Sequence, residues 1–227
     1  MSEVNQMEAD VDSSASRLRI TEIFYSLQGE SRTSGYGTVF IRLTGCPLRC
    51  EYCDTTYAFK GGEWLSLQQI LSEVKKHNTK YICVTGGEPL AQKKCPELLK
   101  ILCDEGYDVS LETSGALDIS EVDERVSRVM DLKTPASKEE EKNRYENIAL
   151  LTEHDQLKFV ICDRNDYEWA VYKISEYDLL SRCEVLFSTS HQQLKPQLLA
   201  DWILQDKLAV RFQMQLHKYL WDDEPGR

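Results

Sequence analysis

The sequence has no long hydrophobic run and no excess of positive charge. No apolar segment approaches the roughly 20 residues that a membrane-spanning helix needs. The chain carries 27 basic and 38 acidic residues, for a formal net charge of -11. A chain this acidic is not attracted nonspecifically to phosphate backbones or anionic membranes. We therefore expect neither nucleic acid nor a membrane as a partner.

The N-terminal segment also lacks hydrophobic periodicity. Residues 1–17 are acidic and serine-rich and contain no apolar signal core. We predict a disordered tail over residues 1–17, a single domain over residues 18–227 and a cytoplasmic location. In a reducing compartment, clustered cysteines are expected to be metal ligands and not disulfides.

Three of the eight cysteines are clustered directly after an apolar run. Cys46, Cys50 and Cys53 form a CxxxCxxC pattern that follows a predicted strand, Val39–Thr44. A tetrahedral zinc or a fully ligated [4Fe-4S] cluster takes four protein donors, so three thiols predict a cluster with one iron open to another ligand. A structural zinc completed by a distant histidine and a ferredoxin-like electron carrier remain open at this point.

The rest of the chain alternates between predicted strands and helices. After the strands Leu18–Tyr25 and Val39–Thr44, further strands are predicted at Tyr81–Thr85, Asp108–Leu111, Arg128–Leu132, Gln156–Cys162, Glu184–Phe187 and Ala209–Leu216. Helices are predicted from Ser66 to about His77, from Pro96 to Gly106, from about Ser120, from Asn165 to about Tyr177, and over Pro196–Gln205. This alternation predicts an α/β fold with mostly parallel pairing. The chain is too short for a complete eightfold barrel of roughly 250 residues, so we predict a partial, open parallel β/α barrel.

Polar residues follow several of these strands. They are Gly86-Gly87-Glu88, Glu112-Thr113-Ser114, Lys133, Ser188-Thr189-Ser190-His191 and His217. In parallel α/β folds the binding site lies at the carboxyl ends of the strands. We therefore expect these groups to meet the cysteines on one rim. His217 is equally compatible with a structural role and with substrate contact.

Together these blocks resemble the 7-carboxy-7-deazaguanine synthase family of the radical S-adenosylmethionine superfamily. The resemblance covers about residues 18–220. Beside the cysteines it is carried by Leu27-Gln28-Gly29-Glu30, Phe40-Ile41-Arg42-Leu43, Cys53-Asp54-Thr55, Thr85-Gly86-Gly87-Glu88-Pro89, Glu112-Thr113-Ser114-Gly115 and Gln215-Leu216-His217-Lys218-Tyr219. A glycyl-radical activating enzyme is the alternative within the superfamily, and a non-enzymatic iron-sulfur or zinc module is the alternative outside it.

The resemblance implies a lyase of 7-deazapurine and queuosine biosynthesis. A [4Fe-4S] cluster on Cys46, Cys50 and Cys53 would bind S-adenosylmethionine and generate a 5'-deoxyadenosyl radical. That radical would take hydrogen from 6-carboxy-5,6,7,8-tetrahydropterin, whose ring contracts with loss of ammonia to give 7-carboxy-7-deazaguanine. S-adenosylmethionine is regenerated in this family. The resemblance also implies magnesium, a reducing partner such as flavodoxin or ferredoxin, and a homodimer.

Residue roles are implied by the same resemblance. Thr55 matches a magnesium-ligating position, and magnesium prefers oxygen donors. Cofactor contacts are implied for Tyr52, Cys53, Asp54, Gly87, Asp131, Leu132, Lys133, Ser188, Thr189, Ser190 and His191. Substrate contacts are implied for Leu27, Gln28, Gly29, Arg42 and Thr85, with the planar fork of Arg42 suited to a carboxylate. The family often has glycine where this chain has Ser31, which leaves the path of that loop open.

Overall fold

The computed structural model describes residues 16–191, 193–222, 224 and 226. Within them the strands are β1 (Arg17–Leu27), β2 (Gly37–Leu43), β3 (Glu63–Ser66), β4 (Tyr81–Gly86), β5 (Asp108–Thr113), β6 (Ser127–Asp131), β7 (Gln156–Ile161), β8 (Glu184–Thr189) and β9 (Arg211–Gln213). The α-helices are α1 (Leu67–Val74), α2 (Cys95–Asp104), α3 (Arg164–Glu176), α4 (Pro196–Gln205) and α5 (Leu216–Trp221). None of these helices is long and apolar enough to cross a membrane.

All nine of these strands belong to one sheet, in the order β3-β1-β2-β4-β5-β6-β7-β8-β9. β1 pairs antiparallel with both β2 and β3. Every pairing from β2 to β9 is parallel. β3 and β9 are the two edges of the sheet and do not pair with each other, so the barrel stays open. The predicted partial, open parallel β/α barrel is confirmed.

β2 separates the hydrophobic core from the interior of the barrel. Its alternate residues Val39 and Ile41 are fully buried in the core, together with Leu98 and Leu102 of α2. Successive side chains of a strand point to opposite faces. Arg42 therefore faces the interior of the barrel, where it lines a cavity.

Helix α1 begins where the sequence predicts. The backbone N–H of Gln69 donates to the Ser66 hydroxyl at 3.2 Å, and the Ser66 N–H donates to the Gln69 side chain at 2.8 Å. This reciprocal pair is a capping box, which satisfies donors that the first turn of a helix leaves free. The capping pattern read from the sequence is confirmed.

Two local predictions are wrong, and one strand was missed. The helix from about Ser120 is replaced by turns, in which the Asp118 and Asp123 side chains accept bonds from nearby backbone N–H groups and so compete with a helix. The strand predicted over Ala209–Leu216 ends at Gln213, and the chain then enters α5. The short antiparallel strand β3 was not predicted at all.

The predicted tail falls mainly on residues that the structure does not describe. Its last residue, Arg17, begins β1 and pairs with Ser66. The tail prediction for residues 1–15 lies outside the described residues and stays a prediction.

The antiparallel direction of β1 places its carboxyl end at the amino ends of the parallel strands. Leu27 pairs with Gly37, and the adjacent Thr38 pairs with Tyr81 at the start of β4. Residues 28–36 connect β1 to β2 across this end of the barrel. The Ser31 N–H donates to the Gln213 side chain at 2.6 Å, which ties the connection to β9. We call residues 28–36 the floor loop.

Ser31 lies at φ 66°, in the left-handed region that glycine adopts readily. The floor loop thus follows a path for which glycine is favoured, although this chain has serine there. Serine at this position therefore does not change the path of the loop, but it adopts that path with local backbone strain.

Candidate active site

A cavity of about 600 Å³ opens at the carboxyl ends of the parallel strands, with the floor loop at its base. Most of the predicted site residues line it: Leu27, Gln28, Arg42, Cys46, Cys50, Tyr52, Cys53, Asp54, Thr55, Thr85, Gly87, Asp131, Lys133, Ser188, Thr189, Ser190 and His191. Leu132 does not, because its side chain is buried in the core. Gly29 lies behind this surface, against His217. The expected convergence of polar strand ends on one rim is observed, except that Glu88 is completely buried and does not line the cavity.

The cysteine loop is held by contacts at both of its ends. The Gly45 N–H donates to the carbonyl of Ala58 at 2.8 Å, and the Glu51 N–H donates to the carbonyl of Ser137 at 3.1 Å. Arg49 donates to the Cys46 carbonyl at 2.8 Å while its guanidinium lies 4.3 Å from the centre of the Phe59 ring. These contacts fix the loop without using any of the thiols.

The thiols of Cys46, Cys50 and Cys53 are free and partly exposed to the cavity. Burial raises the pKa of Cys46 and of Cys50, although the nearby Lys133 opposes that shift at both. A thiol with a raised pKa stays protonated until a metal displaces the proton. Lys133 supplies positive charge where thiolates would form.

A single metal ion is a poorer fit to this loop than a cluster. Among the described residues, no group of three or more His, Cys, Asp or Glu side chains could hold one metal ion. A zinc needs four ligands converging on one point at about 2.0–2.3 Å. Thiolates that bind different irons of a cluster need not converge in that way. Three partly exposed thiols beside one cation therefore fit a three-thiolate cluster and not a closed zinc site.

The turn after β4 brings a glycine directly against the cysteine loop. A Cβ atom on Gly87 would lie 2.3 Å from the Gly45 carbonyl oxygen and 2.7 Å from Cys46 Cβ. No side chain fits in this space without moving the loop. The next residue, Glu88, is completely buried and accepts hydrogen bonds from the N–H and hydroxyl of Ser114 and from the hydroxyl of Thr113. The glycine-glycine-glutamate block thus joins three strand ends around the thiols.

Arg42 points into the cavity from β2. Its Nε donates to Glu22 Oε1 at 2.7 Å, and the guanidinium lies over the Phe24 ring and over the Tyr57 ring. Burial alone would lower the pKa of Arg42, but Tyr57, Glu22 and Glu112 raise it overall. The side chain is therefore a permanent cation in a largely enclosed site.

The floor loop contributes two polar side chains to the cavity. Gln28 is buried, and its Nε2 has no hydrogen-bond partner among the described residues. Glu30 accepts hydrogen bonds from Lys158 at 2.7 Å and from the side chains of Gln213 and Gln215 at 3.2 and 2.8 Å. A buried donor without a partner costs free energy, which a bound acceptor would recover.

Lys158 and Lys133 lie on either side of Asp131. Lys133 Nζ is 3.1 Å and Lys158 Nζ is 3.4 Å from the carboxylate oxygens of Asp131. Burial alone would raise the pKa of Asp131, but the two lysines lower it overall. Alternating charges therefore run from the thiols, through Lys133, Asp131 and Lys158, to Glu30 at the floor.

Asp54 and Thr55 also line the cavity. The Thr55 hydroxyl donates to Asp54 Oδ1 at 2.8 Å, and Lys218 Nζ lies 2.6 Å from Asp54 Oδ2. Burial tends to raise the pKa of Asp54, but Lys218 outweighs it and the pKa is lowered to about 2. Asp54 is thus a carboxylate near neutral pH, adjacent to a hydroxyl oxygen.

Comparison with known proteins gives a consistent result. The model of the radical SAM superfamily matches residues 40–137. The chain is 42% identical over 210 residues to 7-carboxy-7-deazaguanine synthase from Chlorobaculum tepidum, covering 91% of this chain and 96% of that protein. It is 41% identical to the enzyme of the same name from Koribacter versatilis, covering 91% of this chain and 98% of that protein.

This chain belongs to the 7-carboxy-7-deazaguanine synthase family. The crystal structure of QueE from Escherichia coli has the same fold, with a TM-score of 0.75 at 20% identity over 92% of this chain and 98% of that one. Membership confirms the predicted radical S-adenosylmethionine enzyme and lyase. It also implies the [4Fe-4S] cluster and S-adenosylmethionine, which the three thiols fit. The glycyl-radical activating and non-enzymatic alternatives are not supported.

Several residues of this family member were missed at the sequence level. Glu22 bonds to Arg42, Tyr57 bonds to Glu22, and Lys158 carries charge into the cavity, where it bonds to Glu30. A signal existed for Lys158, which is flanked in β7 by the buried apolar residues Leu157 and Phe159. Because neighbouring side chains of a strand point to opposite faces, a lysine between two core residues faces the barrel interior. Glu22 gives no such signal, because its direction depends on an irregular strand pairing.

Proposed function

We propose that this chain converts 6-carboxy-5,6,7,8-tetrahydropterin to 7-carboxy-7-deazaguanine with loss of ammonia, as part of queuosine biosynthesis. The observation that carries the proposal is the content of one cavity. Three free thiols line it together with the Arg42 guanidinium, the buried Glu30 carboxylate, and a Gln28 Nε2 that has no hydrogen-bond partner among the described residues. This arrangement suits a cofactor and a small, carboxylated, nitrogen-rich ring side by side.

Cys46, Cys50 and Cys53 would hold the cluster, and Tyr52, Asp54, Gly87, Asp131, Lys133 and Ser188–His191 would surround S-adenosylmethionine. When bound, the cluster and S-adenosylmethionine supply the radical that starts the rearrangement. The chain's own residues bind, orient and shield the reactants. Gly87 keeps the space beside Cys46 clear, and Lys133 balances the charge of the thiolates.

The substrate's carboxylate is assigned to Arg42 and its ring to the floor. A guanidinium binds a carboxylate through two parallel N–H bonds, which fixes orientation as well as affinity. Gln28 Nε2 would donate to a ring acceptor. Thr85 donates to Glu112 at 2.7 Å, which leaves Glu112 oriented to accept from ring N–H groups. Leu27 lines the same wall. Gly29 packs directly against His217 and thereby sets the position of that side chain.

Magnesium is proposed at Thr55, together with the substrate's carboxylate. A hard cation prefers oxygen ligands and keeps several waters. One protein hydroxyl, together with the substrate's carboxylate, is therefore sufficient to hold it. Because Asp54 is already paired with Lys218, we assign Asp54 to orienting Thr55 through their 2.8 Å hydrogen bond.

The enzyme also requires an external electron, for which we propose flavodoxin or ferredoxin, and we propose a homodimer by analogy with the family. Both follow from family membership and not from a feature of the described surface. Cross-linking and sedimentation of the cluster-loaded protein, with and without reduced flavodoxin, would test each separately.

The test is an anaerobic assay of reconstituted, reduced protein with S-adenosylmethionine, magnesium and 6-carboxytetrahydropterin, with product followed by mass. The proposal predicts 7-carboxy-7-deazaguanine, no product from Cys50→Ala, and a weaker response to magnesium from Thr55→Ala. Glu73→Gln, which changes an exposed residue of α1, serves as the control. Formation of 5'-deoxyadenosine without the deazapurine would overturn the substrate assignment.

A further inference from the structure

The register between β1 and β2 shifts by one residue at Thr21. Ile20 lies opposite Leu43, but the next recorded pair is Glu22 opposite Arg42. Without the extra residue, Thr21 would lie opposite Arg42. A bulge of this kind redirects the side chains that follow it. Ile20 is buried in the core before the bulge, whereas Phe24 lines the cavity after it.

The bulge therefore brings a carboxylate to the one arginine of β2. Glu22 Oε1 accepts a hydrogen bond from Arg42 Nε at 2.7 Å and another from the Tyr57 hydroxyl at 2.8 Å. The Arg42 guanidinium carbon is 5.7 Å from the centre of the Phe24 ring and 5.9 Å from that of Tyr57. One carboxylate and two aromatic rings thus hold the guanidinium.

The hydrogen bonds use only one side of the guanidinium. Within the described part of the chain, Glu22 is the single side-chain acceptor recorded for Arg42, and the bond is made through Nε. The terminal nitrogens stay available as a pair. A guanidinium presents its donors in a rigid plane, so fixing Nε also fixes the direction of the terminal pair.

Tyr57 and Arg42 share one oxygen of Glu22. The Tyr57 hydroxyl donates to Glu22 Oε1, the atom that also accepts from Arg42 Nε. The phenol therefore helps to hold the carboxylate that orients the guanidinium.

We propose that Glu22 and Tyr57 are positioning residues that aim the terminal nitrogens of Arg42 at the substrate's carboxylate, and so set the preference of this site for carboxylated pterins. The inference rests on the proposed function, since it takes the ligand of Arg42 to be the pterin carboxylate. Positioning of a binding group by neighbouring side chains is a general requirement of precise sites.

The test is equilibrium binding of two fluorescent, unreactive probes, 6-carboxypterin and pterin, to the cluster-loaded protein with S-adenosylmethionine and magnesium. We expect Glu22→Ala to weaken binding of 6-carboxypterin about tenfold and Tyr57→Phe about fivefold. Neither variant should change binding of pterin, which has no carboxylate. Glu22→Gln keeps one acceptor oxygen and should recover part of the loss.

Two further variants separate this effect from a change in folding or charge. In an Arg42→Lys background, Glu22→Ala should cause no additional loss, because the two residues act through one contact. Glu73→Gln removes a carboxylate from the solvent-facing side of α1 and should leave binding of both probes unaffected. Circular dichroism of each variant checks that the fold is retained.

The outcomes are distinct. If Glu22→Ala binds 6-carboxypterin more tightly, Glu22 merely competes with the ligand for Arg42, and the proposal is wrong. Equal weakening of both probes in Glu22→Ala or Tyr57→Phe would indicate general damage to the site and would also overturn it. If the unmodified protein binds neither probe, the proposed substrate fails, independently of what Glu22 does.

Discussion

Lys158 Nζ lies 2.7 Å from Glu30 Oε2 inside the open barrel, and this ion pair joins β7 to the floor loop. The same ammonium is 3.4 Å from Asp131 Oδ1 on β6. Burial alone would lower the pKa of Lys158, but Asp131 and Glu30 raise it well above its usual value. One cation therefore pairs with two carboxylates, the partly buried Asp131 beside the proposed cofactor site and the buried Glu30 beside the proposed substrate site.

Lys158→Met should leave Glu30 and Asp131 without their shared cation. Breaking a buried ion pair from one side typically costs about 3–5 kcal/mol, because an uncompensated charge remains. We expect a loss of that size in the free energy of unfolding, measured by urea denaturation at pH 7. The control is Lys76→Met, which breaks an exposed pair with Glu73 and should cost less than about 1 kcal/mol. Equal effects of the two substitutions would contradict the assigned role.

Gly29→Ala should displace His217. A Cβ atom at residue 29 would lie 2.1 Å from His217 Nδ1 and 3.0 Å from its backbone nitrogen, so more than a side-chain rotation is needed. We expect weaker pterin binding, measured by probe titration. Gly35→Ala in the same loop meets no atom within 4 Å, but the left-handed φ of 89° should reduce stability by about 1–2 kcal/mol. Pterin binding that is unchanged in Gly29→Ala would exclude His217 from the substrate wall.

Ser31→Gly should stabilise the protein. Ser31 has the left-handed φ of 66°, and its buried hydroxyl has no hydrogen-bond partner among the described residues. Removing both penalties should outweigh the added flexibility of glycine and raise the free energy of unfolding by about 1 kcal/mol. Ser31→Ala removes the hydroxyl but retains the strain, so its gain should be smaller. A loss of stability in the glycine variant would show that the strain is compensated elsewhere.

His217 should remain neutral at pH 7. Burial lowers its pKa below 6.5, and Lys218 acts in the same direction, while Glu30 and Asp54 oppose the shift. The unfolded chain then binds a proton more readily than the folded one, so this group should reduce stability as the pH falls below about 6.5. NMR titration of the four histidines, with His217→Asn to assign the signal, measures this directly. An apparent pKa above 6.5 would require that Glu30 dominates.

The cysteine loop and the polar strand ends could be found from the sequence because each follows an apolar run at a strand end. In a parallel sheet such ends share one rim, so Cys46, Gly87 and Lys133 meet as expected. Local spacing and the rule for parallel strands were sufficient there, since no irregular pairing is involved.

The floor of the site could not be predicted in the same way. The direction of β1 depends on its partners and not on its own residues, and the bulge at Thr21 changes which face Glu22 occupies. The C-terminal error has a related cause. Residues after Gln213 alternate in polarity like a strand, but the Leu216 N–H bonds to the Gly29 carbonyl at 3.0 Å and the chain turns into α5. These features are fixed by contacts between distant segments.

The most direct measurement of the central claim is the yield of 7-carboxy-7-deazaguanine against S-adenosylmethionine consumed, in one anaerobic reaction of the reduced, cluster-loaded protein with magnesium and 6-carboxytetrahydropterin. Both quantities are read by mass in the same sample. The account predicts many molecules of product for each S-adenosylmethionine lost, because the proposed reaction regenerates the cofactor. Consumption of S-adenosylmethionine without any deazapurine, from protein with a full cluster, would contradict it.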